Sequence, residues 1–252
     1  MGELDRLVLA GFLAFCRVGA CFMLLPGLSS ARVPLPVRLF VALAVSFALF
    51  AHLSDLILPH AGDSSPARLL PLIAGELALG ALIGLLARLY VLALQFIASA
   101  IAMLVGYGGV AGPSIEESEP QAALASLITF SALLLLFVFD FHHEVVAALV
   151  RSYEVAPVGE ALSARSALID LADTLREAFL IALRLGSPFV AYAILVNLAV
   201  GFINKLVPQI PVYFISQPFV IAGGLILLYF GASTFLSLFA DGFGAISLGG
   251  GS

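Results

Sequence analysis

Residues 186–218, GSPFVAYAILVNLAVGFINKLVPQIPVYFISQP, set polar, small and helix-breaking residues into an otherwise apolar run. How that mixture is read decides the fold. At 3.6 residues per turn, a helix over 187–205 aligns Asn197, Gly201, Asn204 and Pro208 on one narrow stripe, which Gly186 and Ala193 extend towards its start. Small residues admit a neighbouring helix at close range, and an amide side chain in apolar surroundings seeks a partner across that contact. Pro208 and Pro211 lack backbone donors and disfavour helix in the residues before them, so the chain is expected to break near Gln209 and resume as a second apolar run. Gly186, Pro188, Asn197, Gly201, Asn204, Pro208 and Gln209 are therefore the candidate helix-packing and assembly residues. A plainer reading of the same residues is a membrane helix with ordinary interhelical hydrogen bonds and a proline turn.

Composition places this stretch in its class. Of 252 residues, 62% are hydrophobic and 11% charged, and the mean hydropathy is +1.15, far from the roughly one-quarter charged content of soluble domains. Segments 89–115, 120–139, 185–204 and 206–240 contain no Asp, Glu, Lys or Arg, and about 20 apolar residues suffice to cross a bilayer core as a helix. The fold class is thus all-α: one multi-helix integral membrane domain over 1–252, with broken, hairpin-like apolar helices. Membrane lipid is its surroundings. A net charge of −5, with Lys205 the only lysine, argues against nucleic acid as a partner. Cys16 and Cys21 lie in the first apolar run on different helix sides, which suggests neither a metal pair nor a disulfide. Val18-Gly19-Ala20-Cys21 looks like a lipoprotein cleavage box, but Arg17 interrupts the apolar region that cleavage needs, and no cleavage is expected.

Outward from the central stretch, apolar runs over 7–25 and 37–58 are helix candidates, separated by Pro26-Gly27 and a turn-rich connection. The run 69–105 is too long for one simple crossing and is read as two helices or a bent hairpin, with Gly75, Gly80 and Gly84 marking its tight face and Glu76 pressed against protein. Gly106, Tyr107, Gly108, Gly109, Val110, Gly112 and Pro113 cannot hold a helix; followed by Glu116, Glu117 and Glu119, they read as a mobile polar connection. After a run over 122–139 come Asp140, His142, His143 and Glu144. With no second histidine a turn away, they are read as a helix terminus in preference to a metal site. Residues 151–177 form the most polar segment, read as a short amphipathic helix with a linker, and 212–239 is the last apolar run. With the chain starting outside, the connections bearing Arg32, Arg38, Arg88, Arg151, Arg165 and Arg176 fall on the cytoplasmic side and the acidic 116–119 connection outside.

Several of these segments resemble one known family. Arg17-Val18-Gly19, Leu25-Pro26, Ser29-Ser30, Pro34 and Val37-Arg38 are similar to the opening of the FliR family of flagellar export-gate proteins and its injectisome counterparts. His142-His143, Ser152-Tyr153 and Pro157-Val158-Gly159 are similar to its middle. The run from Ala182 to Phe189, Asn197-Leu198-Ala199, Pro208-Gln209, Val212-Tyr213-Phe214 and Pro218 are similar to its end. The chain departs from the family pattern at Pro211, at Ser216-Gln217 and at Asp140-Phe141. The resemblance implies a non-enzymatic subunit of the type III export gate, in the inner membrane at the flagellar basal body. Its implied partners are sister membrane subunits in a hetero-oligomeric complex and the exported proteins. The 106–113 loop would then be a candidate channel plug, and neither cofactor nor metal is implied. Broken apolar helices agree with an obligate assembly, since irregular backbone at membrane depth is tolerated where protein or a cavity surrounds it.

Two other classes compete. An ion-coupled secondary transporter would use Arg17, Glu76, Asp140 and Arg184 as intramembrane charges, but the break at 208–211 has no evident twin in the first half. A membrane enzyme is not supported by any Gly-x-Ser-x-Gly, His-Glu-x-x-His or phosphate-loop motif.

Overall fold

A computed structural model of the chain describes residues 3–30, 32–60, 65–113, 121–159 and 164–247. The described residues form α1 (Glu3–Leu24), α2 (Leu35–Ile57), a 3-10 turn (Leu58–His60), α3 (Pro66–Leu104), β1 (Ala111–Gly112), β2 (Gln121–Ala122), α4 (Ala123–Val138), α5 (Phe141–Val155), α6 (Ala164–Leu206) and α7 (Val212–Ser247). α1 stops before Pro26 and Gly27, the latter at φ 82°. Pro34 precedes α2 and Pro36 sits in its first turn, where a missing N–H leaves no helical bond unmade. The break between α6 and α7 falls at 207–211, around Gln209 as its flanking prolines require. α1, α2, α3, α6 and α7 are each long and apolar enough to cross a membrane, and the broken pair α4 and α5 adds a sixth candidate.

Two expected boundaries are corrected. The run 69–105 is neither two helices nor a hairpin but the single 39-residue α3, about 58 Å long at 1.5 Å per residue. Its glycines each cost about 1 kcal/mol of helix propensity in water, whereas breaking the helix in apolar surroundings would strand backbone polar groups at greater cost. Likewise, 151–177 is not a separate amphipathic helix. Its start completes α5, and residues from Ala164 onwards open the 43-residue α6. α6 passes through Pro188, whose missing N–H orphans the carbonyl of Arg184. The hydroxyl of Ser187 donates to that same carbonyl at 2.9 Å, which lets the helix continue.

Packing divides the chain into two compact units, one of Met1–Val91, Asp140–Leu175 and Ile246–Ser252, the other of Leu92–Phe139 and Arg176–Ala245. In the first, Ala10, Leu13 and Ala14 of α1 meet Leu53 and Ile57 of α2 and Tyr153 and Val158. α3 approaches α1 at two glycines. A Cβ on Gly80 would collide with the Arg17 carbonyl, and one on Gly84 would lie 2.5 Å from the Cys21 oxygen, so this small-xxx-small pair sets the interhelical distance. Gly75, expected on the same tight face, meets open space instead; five residues before Gly80, it points about 140° away around the helix. In the second unit, Gly186 of α6 abuts Ile97 of α3, Gly224 of α7 abuts Val105, and Gly223 abuts Tyr192, whose hydroxyl donates to the Val220 carbonyl at 2.7 Å. Half of the α1 span is buried but only 11% of the α7 span, so α7 turns most of its apolar surface outwards, to lipid or to another protein.

Candidate functional site: a glycine hairpin, an open helix face and a buried ion pair

The glycine segment begins where α3 ends. Gly106, at φ 82°, takes the left-handed position just past the helix. Its N–H bonds Met103 O at 3.0 Å and the Tyr107 N–H bonds Ala102 O at 2.8 Å, the paired bonds of a Schellman cap. Further on, the Ala123 N–H reaches Val110 O at 2.7 Å, and β1 pairs antiparallel with β2 through Ala111 opposite Ala122 and Gly112 opposite Gln121. A Cβ on Gly112 would sit 2.5 Å from the Ala123 Cα, so this ladder closes only with glycine there. The segment read as a mobile connection is thus tied at both ends, by the cap at Gly106 and by the pairing of β1 with β2. Its capped root and laddered stem hold Gly106 and Gly112, while Gly108, Gly109, Val110 and Pro113 are exposed and Tyr107 is half-buried. Glu116, Glu117 and Glu119 lie outside the described residues.

The stripe on α6 splits in two. Gly186 is buried against Ile97 within the chain, and Pro188 borders an apolar cleft together with Phe230 and Thr234 of α7. Asn197 bonds Ala193 O of its own helix at 2.8 Å. Asn197, Gly201, Asn204, Pro208 and Gln209 are all exposed, and a Cβ on Gly201 would meet nothing within 4 Å. Leu198, Phe202 and Leu206 are exposed on the same stretch of helix, Leu206 at 80%. Replacing Gly201 with Leu is accordingly expected to leave the isolated chain's melting temperature unchanged or slightly raised, since it meets no clash and removes a helix glycine. If a neighbour's backbone packs there, overpacking costs about 1–3 kcal/mol of assembly. Thermal unfolding of the lone chain and the yield of complex, measured side by side, check this, and a normal yield would remove Gly201 from the contact.

Sequence reasoning singled out Arg17 and Glu76 separately, and the structure brings them together. Arg17 is fully buried and Glu76 is 1% exposed. Arg17 Nε donates to Glu76 Oε2 at 2.7 Å and Nη2 to Oε1 at 2.8 Å, a bidentate pair. Arg17 also donates from Nη1 to Ser152 Oγ at 3.1 Å and from Nη2 to Ala156 O at 3.0 Å. Its guanidinium lies 3.8 Å above the centre of the Tyr153 ring, within cation–π range. One side chain thereby ties α1 to α3 and to the end of α5. Ser152, Tyr153 and Ala156 were not anticipated as its partners. The signal was an arginine in one apolar run and a glutamate in another, charges that burial favours only when they are paired. Asp140 and Arg184, grouped with them as possible ion-path charges, are both exposed.

Asp140, at φ 57°, precedes α5 without capping it. Its carboxylate lies 3.3 Å from His143 Nδ1 and 4.0 Å from His142 Nε2, and all three side chains are exposed with ligand-type atoms within 4.8 Å of one another. They stand at the positive end of the α5 dipole, which favours the carboxylate and opposes a cation. Glu144, one turn further, lies 3.8 Å from Arg151.

Comparison with known proteins identifies the family. Residues 8–246 match the family described as bacterial export proteins, family 1. The chain is 27% identical to the flagellar biosynthetic protein FliR of Caulobacter vibrioides over 231 residues, covering 91% of this chain and 90% of the relative. It is 26% identical to the Bacillus subtilis protein of that name, covering 90% and 88%, and 25% identical to the one from Escherichia coli, covering 86% and 82%.

Proposed function

The chain belongs to the bacterial export proteins, family 1, and on that premise we propose that it is a subunit of the flagellar type III protein export gate, held in the inner membrane at the basal body, where it forms part of the channel through which flagellar proteins leave the cell. The observation that carries this reading is a family match running over residues 8–246, together with relatives named for flagellar biosynthesis that are covered for 82–90% of their own length. Five helices long and apolar enough to cross a membrane agree with it.

In this reading the subunit works by shape and not by catalysis. The exposed stretch of α6 and α7 receives sister gate subunits, which explains why Gly201, Asn204, Pro208 and Gln209 face outwards with no intrachain partner at the glycine. The segment from Gly106 to Pro113 closes the channel when no substrate is passing, supported by the exposed Gly108 and Gly109 between the capped end of α3 and the β1–β2 pair. A transporter reading loses its charges, since Arg17 and Glu76 neutralise each other in a closed pair. Use in an injectisome would call for the same assembly. The flagellar names of the relatives favour the flagellar one.

Co-expression with the sister membrane subunits tests the proposal. The tagged chain is expected to purify with them as one defined hetero-oligomer and to gain protease resistance in that state. A monodisperse, protease-resistant monomer, unchanged by the presence of those subunits, would overturn it.

A further inference from the structure

We propose that the cleft between α6 and α7 binds one anionic phospholipid, with an acyl chain lying in the cleft and the headgroup phosphate held by Arg184. The cleft measures about 290 Å³ and lies wholly within the second unit, with Phe189 of α6 and Phe230 and Phe235 of α7 in its walls. Among the described residues that line it, only Arg184 and Thr234 are polar. Gly231 lines it too, and a Cβ there would meet nothing within 4 Å. Other glycines of this unit are covered, Gly186 by Ile97 and Gly224 by Val105. Gly231 therefore leaves room where those two seat a neighbouring side chain.

Arg184 fixes the chemistry of the ligand. It is exposed, and among the described residues nothing pairs with its guanidinium. It directly precedes 185–204, a stretch with no charged residue that at about 1.5 Å per residue spans about the 30 Å of a bilayer core. The guanidinium thus stands at the depth of the headgroups, where its fork matches the oxygens of a phosphate and its charge favours an anionic lipid over a zwitterionic one. Pro188 and Phe189, further along α6 and inside that stretch, continue the cleft into the apolar layer. A partner helix would have to bring a carboxylate to the edge of that layer to match Arg184, whereas a phospholipid carries phosphate and chain in one molecule. The proposal rests on the membrane setting of these helices and not on what passes through the gate.

The test uses the full chain, purified in a mild detergent by itself and again with the sister subunits, and offered phosphatidylglycerol or phosphatidylcholine. Native mass spectrometry counts the lipids retained. The parent is expected to keep one phosphatidylglycerol, bound about five-fold more tightly than phosphatidylcholine, the preference that one arginine supplies at a membrane surface. Arg184→Leu is expected to lose that preference, and Arg184→Lys, which keeps the charge without the fork, to retain most of it. Gly231→Leu, whose side chain enters the open cleft, is expected to shed both lipids while melting no lower than the parent. Retention of phosphatidylglycerol at parental strength in Arg184→Leu or in Gly231→Leu overturns the proposal. So does a parent that holds the two lipids equally. Release of the lipid when the sister subunits bind would make the cleft a protein contact and also overturns it.

Discussion

Replacing Arg17 with leucine is expected to destabilise the first unit by about 3–5 kcal/mol, because it leaves the Glu76 carboxylate buried with no counter-charge. Ser152 Oγ and Ala156 O lose a donor in the same step, which leaves the end of α5 held to α1 by the apolar packing around Tyr153 and Val158. The matching change, Glu76→Leu, strands the guanidinium instead and should cost a similar amount. Exchanging both for leucine is expected to recover most of the loss, since a buried pair replaced by apolar side chains is often neutral while half a pair is not. Arg17→Lys keeps the charge but not the two-pronged geometry, and should fall between. Thermal unfolding in detergent reads this series. Each single leucine variant is expected to melt about 10 °C below the parent, with the double variant much closer to it. A double variant as unstable as the sum of its parts would show that the two residues do not act as a pair.

Deleting Gly108 to Gly112 is expected to leave gate assembly at parental yield and to make the assembled complex leak ions in the absence of an exported protein. The deletion removes β1, and with it the stem pairing to Gln121 and Ala122, but spares the Schellman cap at Gly106 and Tyr107 and therefore the end of α3. Packing elsewhere in the second unit, through Gly186 on Ile97 and Gly224 on Val105, is untouched. The loss should thus fall on closure and not on stability. Conductance across the inner membrane of cells producing the whole gate measures it. A deletion complex that assembles and stays as tight as the parent would return the hairpin to the status of a connector.

Much of this arrangement is legible in the residues, and the parts that are not have physical reasons. The break at Gln209 is written in Pro208 and Pro211, and the close approach of α3 to α1 in Gly80 and Gly84, because each of those residue types has one dominant structural effect. The length of α3 was misread because the usual limit on a crossing helix comes from bilayer thickness, while a helix packed in protein can exceed it. The continuity of α6 depends on Ser187 serving the carbonyl that Pro188 abandons, a compensation between neighbours that a residue-by-residue reading weighs only as a proline. Arg17 and Glu76 each stood out as charges in apolar runs, yet their pairing spans 59 positions and the addition of Ser152 spans 135. Contacts at such separations follow from packing and not from local pattern. Gly223, Gly224 and Gln217 went unnoticed for the same reason: their meaning lies in Tyr192, Val105 and Gly106 on other helices.

Secretion of flagellar proteins by cells lacking this chain tests the central claim most directly. The account predicts that removing it abolishes their export, that supplying the intact chain restores it, and that the Arg17→Leu variant restores it poorly because the subunit fails to fold. Undiminished export of those proteins without the chain would contradict the account.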